Sequence, residues 1–449
     1  MKTQTFKGGT PPPERKENTE KLPIEAVFPS TKMVSIPVTQ GGAPNQPIVK
    51  VGDTVARGQK IAETGAFMSA PVHSSVAGIV KKIENRLVTG NIAAPCIVIE
   101  ADGSDRTAYM EPLDPNSCTK EEALARIKQA GIVGMGGAAF PTHVKLNPPQ
   151  GKTIDCVLAN GAECEPYLTI DDRTMQEATE KVIDGLVICV KLTKANCGII
   201  VIEDNKTHLV PVLETKIQEL GYNNILSVKV CKTKYPQGGE KNIVQVIGRE
   251  IPAGGLPADI GCVVQNVGTL AAISEAFREG KPLIDRGLTI SGGACETPKN
   301  ITVPVGTLIG DLIPEAITLK PEVAKILSGG PMMGFAMMNA NFPVQKNTSG
   351  VLFLTAKEAN LVEENPCIGC GKCITVCSCR LTPVMIVRSL NADNIEEAKR
   401  YGLMDCVECG TCAYVCPANV KLVQRFRIGK MQVRAKMAAA KAKAEKEGQ

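Results

Sequence analysis

The sequence contains no tryptophan, only 3% of its 449 residues are aromatic, and it has just three histidines. Proteins that bind single-stranded nucleic acid by stacking depend on aromatic rings, so that function is not expected. His73, His143 and His208 are expected to be structural or solvent-facing, and none is assigned a chemical role. No apolar run reaches the length of about 18 residues that a membrane-spanning helix needs. Any membrane association is therefore expected to go through partner proteins or a basic segment.

Cysteine is abundant instead, with 18 in the chain. A disulfide scaffold is typical of short secreted chains, whereas this chain is long and its first ten residues do not resemble a cleavable signal sequence. A reducing cytoplasm is therefore expected. Several cysteines fall in apolar strand or helix patterns and are expected to be small core residues: Cys96, Cys156, Cys189, Cys197, Cys231 and Cys262.

Two cysteine runs near the C-terminal end share the spacing C-x-x-C-x-x-C-x-x-x-C. They are Cys367, Cys370, Cys373 and Cys377, and then Cys406, Cys409, Cys412 and Cys416. This spacing is typical of bacterial ferredoxins with two [4Fe-4S] clusters, in which the last cysteine of each run binds the other cluster. The predicted ligand sets are Cys367, Cys370, Cys373 and Cys416 for one cluster, and Cys406, Cys409, Cys412 and Cys377 for its neighbour.

Structural zinc sites also use C-x-x-C pairs and are the alternative. Such sites usually show two separated pairs rather than three closely spaced cysteines followed by a fourth, which favours iron–sulfur clusters. The second run ends in Cys416-Pro417, as expected, whereas the first ends in Cys377-Ser378-Cys379. Cys377 keeps the spacing and is the preferred ligand, with Cys379 as the alternative.

The chain is long enough for several domains, and its pattern predicts a multidomain α/β protein. Residues 1–30 are rich in Gly, Pro and charge and are predicted to be an extended arm. Residues 31–115 carry short β-segments that resemble the barrel-sandwich fold of biotinyl and lipoyl carrier domains. Those domains carry a modifiable lysine at a hairpin tip, where this chain has Phe67-Met68-Ser69-Ala70. The fold is therefore expected without the swinging lysine.

Residues 116–284 alternate between strand and helix patterns, which predicts a parallel sheet covered by helices. Thr119 and Glu122 form a capping-box pattern for a first helix that runs to about Ala130. The predicted strands are 155–159, 198–203, 225–230 and 262–265, and the predicted helices are 174–194, one to Leu220, one from Glu240 and one to Glu279. Ligands of such folds bind beyond the carboxyl ends of the strands.

The remainder of the chain is predicted to form three further segments. Residues 285–335 return to short strands and are expected to be a small β-grasp domain. Residues 336–420 are expected to be a helical, ferredoxin-like domain that holds both clusters. Residues 421–449 form a basic, alanine-rich tail, for which a solvated helical end is the plainer alternative to a membrane or partner contact.

Four stretches carry the glycines and polar residues of a possible nucleotide site. They are GIVGMGGAAFPTHVK at 131–145, NGAECEP at 160–166, YPQGGEK at 235–241 and QNVGTLA at 265–271. The first follows a helix, so taken alone it is equally well an ordinary tight turn. The others lie where predicted strands meet helices, and polar groups converging there are what a bound nucleotide requires. A helix cap or a surface charge is the alternative for each acidic residue taken singly.

Together these stretches resemble the flavin-bearing, NADH-binding subunit of respiratory complex I, whose motifs run GRGGAGFP with a following Lys, NADESEP, Y-x-x-GEE and NVETL. The sequence is more similar still to the C subunits of Rnf ion-translocating electron-transport complexes. That family also has a GG-x-x-PP arm, a carrier-like domain, a GGPMMG loop, here at 329–334, and tandem ferredoxin runs. The resemblance covers nearly the whole chain, although Thr10-Pro11 stand where the family arm usually has Ile-His.

The resemblance implies that FMN is held noncovalently. The residues implied to bind it are Gly134, Gly136, Gly137, Ala138, Lys145, Asn160, Glu163, Gly238, Gly239, Asn266 and Thr269. Phe140, Glu165 and Glu240 match positions that face the nicotinamide nucleotide in the complex I flavoprotein. Ala139 replaces the last Gly of the complex I motif and Gly239 replaces the first Glu of its GEE, so the match is closer on the flavin side than on the NAD side.

The family implies hydride exchange between NAD(H) and FMN, followed by single-electron transfer between FMN and two [4Fe-4S] clusters. The implied partners are membrane subunits of the complex, its B, D and G subunits, with ferredoxin as an indirect partner. The implied location is peripheral, on the cytoplasmic face of the membrane. Two alternatives are a flavin and iron–sulfur cobalamin reductase, which the arm and the carrier-like domain disfavour, and a non-enzymatic electron-wire protein.

The cluster assignment predicts the metal content of the purified protein. We expect a brown-yellow protein with about eight iron atoms, because two four-iron clusters need that number, and loss of colour when NADH is added. Iron and zinc analysis under anaerobic conditions checks this prediction. Iron near zero with stoichiometric zinc would contradict it.

Overall fold

The first part of the chain runs along the body of the protein in an extended conformation. A computed structural model describes residues 4–359 and 362–447, with side chains described as far as residue 440. Strand β1, Ile24–Ala26, pairs in parallel with residues 300–302 of a later sheet. Isolated bridges join Gln4 to Cys231 and Thr10 to Tyr235. The arm is therefore bound to the body at several points.

Two small antiparallel sheets follow the arm. Their strands are β2 (Met33–Pro37), β3 (Gln46–Pro47), β4 (Thr54–Val55), β5 (Lys60–Glu63), β6 (Val72–His73), β7 (Gly78–Val88) and β8 (Ile92–Ala101). The orders are β2-β8-β7-β4 and β3-β5-β6. Between them lies a core of Val34, Ile36, Ile61, Val80 and Ile97, all fully buried. Burial of these apolar side chains holds the two sheets together.

The central part of the chain builds the predicted parallel sheet. Its elements are α1 (Lys120–Gln129), α2 (Thr142–Lys145), β9 (Cys156–Gly161), α3 (Ile170–Glu177), α4 (Thr179–Thr193), β10 (Cys197–Glu203), α5 (Leu209–Glu219), β11 (Leu226–Cys231), α6 (Glu240–Ile243), β12 (Cys262–Asn266) and α7 (Val267–Arg278). All neighbouring strands are parallel, in the order β11-β10-β9-β12. The alternating sequence pattern thus predicted the sheet correctly, and Thr119 and Glu122 form the expected capping box.

Two predicted helices differ from those observed. The predicted helix 174–194 is two helices, α3 and α4, which meet at Ala178 with a backbone of φ −123° and ψ 33°. The Thr179 hydroxyl donates to the Met175 carbonyl at this break, a local bond that competes with regular helix geometry. The helix predicted from Glu240 is a single turn, α6, followed by a 3-10 segment over Val244–Ile247.

A six-stranded sheet follows. It contains β13 (Asp285–Ser291), β14 (Lys299–Pro304), β15 (Lys325–Ser328), β16 (Phe335–Met337) and β17 (Gly350–Leu354), and α8 (Ala356–Ala359) comes after it. The order is β1-β14-β13-β17-β15-β16, so the arm supplies one edge strand. The sheet continues beyond residue 335, where the β-grasp domain was predicted to end; the domain limits themselves stay a prediction.

Short helices surround the two cysteine runs. They are α9 (Lys372–Thr375), α10 (Pro383–Asn391), α11 (Ile395–Arg400), α12 (Thr411–Tyr414) and α13 (Leu422–Glu447). Each run contains a one-turn helix and is followed by a longer one, and both halves pack around Ile386, Leu403 and Phe426. The basic tail is part of α13, whose residues 434–440 are exposed. Among residues 4–359 and 362–447, no helix combines the length and apolar character needed to cross a bilayer.

A buried lysine joins three parts of the fold. Lys346, only 1% exposed, donates from its Nζ to the carbonyls of Pro71 (3.0 Å) and Gly131 (2.7 Å). Pro71 directly precedes β6 of the antiparallel sheets, and Gly131 begins the glycine-rich loop after α1. Burial lowers the pKa of Lys346 to about 7. The pKa of His73 is lowered as well, mainly by burial and in addition by the nearby charge of Lys346.

The low pKa of Lys346 predicts a pH-dependent stability. The folded pKa lies below the ordinary value of 10.5, so unfolding takes up a proton between these two values and stability rises with pH across that window. Lys346→Met lacks this group, so its melting temperature relative to the wild type should fall as the pH rises from about 7 to about 10. Thermal melts at several pH values check this, with Lys21→Met, an exposed lysine of the arm, as the control. A difference that does not change with pH would contradict the prediction.

Candidate functional site

The carboxyl ends of β9 and β12 bring two of the predicted stretches together. Asn160 and Asn266 are partners in the parallel register of these strands. The Asn160 Nδ2 donates to the Gly238 carbonyl at 2.7 Å. A Cβ on Gly238 would lie 2.1 Å from the Ala162 carbonyl oxygen, so only glycine allows this close approach. The loop 235–241 therefore packs directly on the loop that follows β9.

The glycine-rich loop 131–145 lies against the start of α7. The Thr269 hydroxyl accepts from the Met135 N–H at 3.0 Å. A Cβ on Gly136 would lie 3.0 Å from the Asn266 Nδ2, whereas one on Gly137 would meet nothing within 4 Å. Asn266 also caps α7 by accepting from the Gly268 N–H at 2.9 Å. The loop thus offers bare backbone and open space beside a helix N-terminus, which suits a flat ring and a phosphate.

An ion pair between Lys145 and Glu240 connects the glycine-rich loop 131–145 to the loop 235–241. Lys145, at the end of α2, forms an ion pair with Glu240, at the start of α6, with an N···O distance of 2.5 Å. Their side chains are 28% and 39% exposed. All four predicted stretches are therefore in contact at one edge of the sheet, and their donor set fits FMN: an amide, a hydroxyl, a lysine and glycine backbone.

Beneath this edge lies a buried set of charges, of which the sequence analysis singled out only Glu163. Glu163 is held between Lys16 and Lys206, with N···O distances of 3.8 Å and 3.9 Å. Glu203 lies 4.0 Å from Lys206. All four side chains are no more than 6% exposed. Lys206 follows β10 at the same sheet edge, so the strand-end rule could have found it. Lys16 lies in the arm, and nothing in its local pattern marks it.

Asp171 and Arg286 extend the charge set towards α7. Asp171 accepts from the Asn266 Nδ2 at 2.7 Å. Loss of water, together with the nearby Glu163, raises the pKa of Asp171 to about 7. Burial lowers the pKa of Arg286 to about 10, while its Nη2 donates to the Met135 carbonyl at 3.1 Å. Asp171 therefore contacts the predicted flavin residue Asn266, and Arg286 contacts Met135 in the glycine-rich loop.

The three predicted nicotinamide-facing residues differ in their surroundings. Phe140 is 40% exposed, and Glu240 is exposed to a similar degree. Glu165 is partly buried, and its carboxylate accepts from the Met332 and Met333 N–H groups at 3.0 Å and 2.9 Å. Loss of water raises the pKa of Glu165 to about 7. The loop 329–334 therefore covers Glu165, while Phe140 and Glu240 face solvent.

The second cysteine run shares one cavity with the end of the first. A small cavity is lined by Cys377, Cys379, Cys406, Cys409 and Cys412, together with apolar side chains such as Phe426. Backbone N–H groups point at two of the sulfur atoms, from Leu381 to Cys377 (3.3 Å) and from Glu408 to Cys406 (3.4 Å). Hydrogen bonds to sulfur stabilise thiolate ligands, so the donor set fits an iron–sulfur cluster.

The other predicted ligand set lies nearer the surface. Cys367 and Cys370 are exposed, and Cys373 is partly buried. Cys373 and Cys416 pack against the same apolar core. Across residues 4–359 and 362–447, no group of three or more His, Cys, Asp or Glu side chains surrounds a single metal-ion position. In a four-iron cluster each cysteine binds its own iron atom, so the sulfur atoms enclose a larger volume than one ion.

Tyr235 connects the parallel sheet to the cluster domain. Its hydroxyl donates to the Cys409 carbonyl at 2.7 Å, and it is 1% exposed. Its backbone exchanges two hydrogen bonds of 2.8 Å with Thr10. The Gly9 N–H in turn donates to the Val376 carbonyl at 2.8 Å. The loop 235–241 and the arm therefore both touch the cysteine loops around the shared cavity.

A second, much larger cavity lies elsewhere in the described residues. It has a volume of about 840 Å³ and runs between α3, α4, α7 and β13. Met135 and Gly268 line it, next to predicted flavin residues, but the predicted residues themselves do not. The glycine-rich loop and the cavity are thus neighbours that share a wall.

Comparison with known proteins assigns families to three parts of the chain. The Nuo51 FMN-binding domain matches residues 127–275, the RnfC barrel sandwich hybrid domain matches residues 4–104, and the 4Fe-4S dicluster domain matches residues 366–420. These matches confirm the barrel-sandwich, flavin-domain and ferredoxin-like predictions at the level of the fold.

Several relatives match almost the whole chain. The C subunit of the proton-translocating ferredoxin:NAD(+) oxidoreductase complex of Clostridium ljungdahlii is 46% identical over 98% of this chain and 96% of its own length. The corresponding C subunit of the Na(+)-translocating complex of Acetobacterium woodii is 42% identical, over 96% and 98%. A solved structure of an NAD+-reducing [NiFe]-hydrogenase aligns with 69% of this chain and 63% of its own chain, at 17% identity and a TM-score of 0.49.

The shared cavity allows the ligand choice at the end of the first run to be tested. We expect Cys377→Ala to lose about half of the iron, because one of two four-iron clusters loses a ligand. Cys379→Ala, the matched control in the same cavity, should keep its iron. Iron analysis and the visible absorption spectrum check both variants. The reverse result would make Cys379 the ligand.

Proposed function

Because the chain belongs to the family of C subunits of ion-translocating ferredoxin:NAD+ oxidoreductase complexes, we propose that it exchanges electrons with NAD(H) through FMN and two [4Fe-4S] clusters. The observation that carries this proposal is the contact between the two candidate cofactor regions. Tyr235, in a predicted flavin stretch, hydrogen-bonds the backbone of Cys409, a predicted cluster ligand. Electron transfer between separate cofactors requires a short distance between them, and this contact supports a short distance between the proposed flavin and cluster sites.

The proposed flavin site uses the residues named from the resemblance. FMN, when bound, exchanges two electrons with a nicotinamide and one electron with a cluster. Gly134, Gly136, Gly137 and Ala138 give it bare backbone, and Gly238 and Gly239 form the opposite wall. Asn160, Glu163, Asn266 and Thr269 order these loops through the contacts described above, and Lys145 supplies a positive charge. Glu240 balances that charge when no phosphate is present.

The proposed nicotinamide side is the face that carries Phe140 and Glu240. Both are exposed enough to meet a second nucleotide. Glu165 is the third proposed residue of this side, and it acts indirectly: its carboxylate accepts hydrogen bonds from the backbone of Met332 and Met333. In this position it orders the loop 329–334 above the site.

The proposed order of the clusters follows from their surroundings. The cluster held by Cys406, Cys409, Cys412 and Cys377 is the one next to the flavin domain, because Tyr235 and the arm contact its loops. The cluster held by Cys367, Cys370, Cys373 and Cys416 lies nearer the surface, where Cys367 and Cys370 are exposed. We therefore place it at the outlet to a partner.

The proposed setting is a membrane-bound complex. The relatives are named as subunits of ion-translocating complexes, so ion movement would belong to other subunits, of which B, D and G are the proposed neighbours. The chain would lie peripherally on the cytoplasmic face, with ferredoxin as an indirect partner. The domain limits predicted above, including a β-grasp domain from residue 285, are part of the same proposal.

The cluster order can be tested with two cysteine variants. Cys370→Ala should lose the outer cluster, while NADH still reduces the inner one. Cys409→Ala should lose the inner cluster, and the remaining outer cluster should then be reduced by NADH much more slowly. Both should keep NADH–ferricyanide reductase activity, because that reaction needs only the flavin. Rapid-freeze electron paramagnetic resonance after NADH addition measures the reduced clusters.

The outcomes separate the proposals. Fast reduction of the outer cluster in Cys409→Ala would overturn the proposed order. Absence of releasable FMN and of NADH–ferricyanide activity in the wild-type protein would overturn the proposed function and favour an electron-wire protein.

A further inference from the structure

The arm carries a lysine that ends inside the flavin domain. Lys16 is 5% exposed, although it lies in a segment rich in proline and charge. Its Nζ donates to three backbone carbonyls, those of Glu163 (2.8 Å), Glu165 (3.1 Å) and Leu168 (2.5 Å). All three acceptors belong to residues 163–168, the segment between β9 and α3. One ammonium group therefore donates hydrogen bonds to three carbonyls of the same loop.

The loop has no regular secondary structure of its own. Residues 162–169 belong to neither a strand nor a helix. Backbone carbonyls that are shielded from water need donors, since leaving one unpaired costs about 1–3 kcal/mol. An ammonium group has three N–H donors and matches three carbonyls. Lys16 thus supplies from a distant part of the sequence what regular secondary structure supplies elsewhere.

The charge of Lys16 is balanced where it lies. Glu163 is 3.8 Å away on one side, and Lys206 approaches the same carboxylate from the other. Burial lowers the pKa of Lys16, and the carboxylates of Glu163 and Glu203 oppose that shift. Removing the ammonium group would leave the Glu163 carboxylate with Lys206 as its near cation. It would also remove the Lys16 hydrogen bonds to the carbonyls of Glu165 and Leu168, while the Glu163 carbonyl would keep a donor in Lys206 at 3.4 Å.

The arm is fixed on both sides of Lys16. Before it, Thr10 pairs with Tyr235 and Gly9 donates to Val376. After it, the Thr169 hydroxyl donates to the Thr19 hydroxyl at 2.8 Å, and the arm adds β1 to the six-stranded sheet. The backbone path into the site is therefore defined by contacts that do not involve the lysine side chain.

We propose that Lys16 is a positioning residue of the flavin site, which orders residues 163–168 and so sets where the Glu163 and Glu165 carboxylates lie. Glu163 accepts from the Asp171 N–H at 2.9 Å, which links the loop to α3. Glu165 holds the backbone of Met332 and Met333. A change at Lys16 reaches the Glu163 carboxylate directly, through the ion pair, and the Glu165 carboxylate through the backbone of the loop. This inference rests on the proposed function for its meaning in catalysis, but the ordering itself does not need a bound flavin.

The first test therefore uses flavin-free protein. Lys16→Met keeps the length of the side chain and removes its charge and its donors. Amide hydrogen exchange in residues 163–168 should speed up by about tenfold or more, the factor expected when hydrogen bonds to a charged group are lost. Exchange in β8, in the antiparallel sheets, should stay unchanged and serves as the internal reference. Lys21→Met, an exposed lysine of the same arm, should behave as wild type throughout.

The second test measures flavin binding. Titration of the flavin-free proteins with FMN should give a dissociation constant for Lys16→Met that is higher than that of the wild type by about tenfold. Lys16→Arg, which keeps the charge and the donors, should recover part of this loss. Loss of affinity in Lys21→Met to the same extent would show a general effect of the arm and would overturn the proposal.

The results separate this inference from the proposed function. Unchanged exchange in residues 163–168, or an equal rise there and in β8, would overturn the positioning role. Wild-type protein that binds no FMN would overturn the proposed function, while the exchange result would still decide whether Lys16 orders the loop.

Discussion

The candidate site depends on the parallel register of β9 with the strands on either side of it. Because all strands of this sheet run in one direction, their carboxyl ends lie together, and the residues after each strand become neighbours. Asn160 and Asn266 are register partners for this reason. Loops that are more than 70 residues apart in the sequence, such as those of Asn160 and Gly238, are then joined by direct hydrogen bonds.

Charges are placed under this edge in nearly balanced numbers. Burying one ion alone is very unfavourable, whereas ions that are paired and hydrogen-bonded can be accommodated. Lys16, Lys206, Glu163 and Glu203 meet that condition together, and each has backbone or carboxylate partners. Removing one member of such a set is strongly destabilising, because the remaining charges stay buried without all of their partners.

The sequence predicted those features that have a local or periodic signal. Alternating patterns predicted the parallel sheet, and the Thr119 and Glu122 pair predicted the start of α1. Cysteine spacing predicted the two ligand sets, which stay a prediction. The features that it did not predict depend on distant partners. Lys16 and Lys346 look like ordinary charged residues of exposed segments, and only the folded chain shows their carbonyl acceptors. The contact between Glu165 and the loop 329–334 was not predicted either, because nothing in the sequence of either segment indicates that the two meet.

The position of the arm has a consequence for how the protein is assembled. The arm is synthesised before its partners, since the acceptors of Lys16 lie 147 to 152 residues downstream, and one partner of Gly9 is Val376, within the first cysteine run. The Gly9 contact cannot form until that run has left the ribosome, whereas the acceptors of Lys16 are available much earlier. Closing a loop between such distant residues carries an entropic cost that must be met before the contact stabilises the fold. The order of the partners along the chain therefore lets the arm attach to the flavin domain first and to the cysteine loops last.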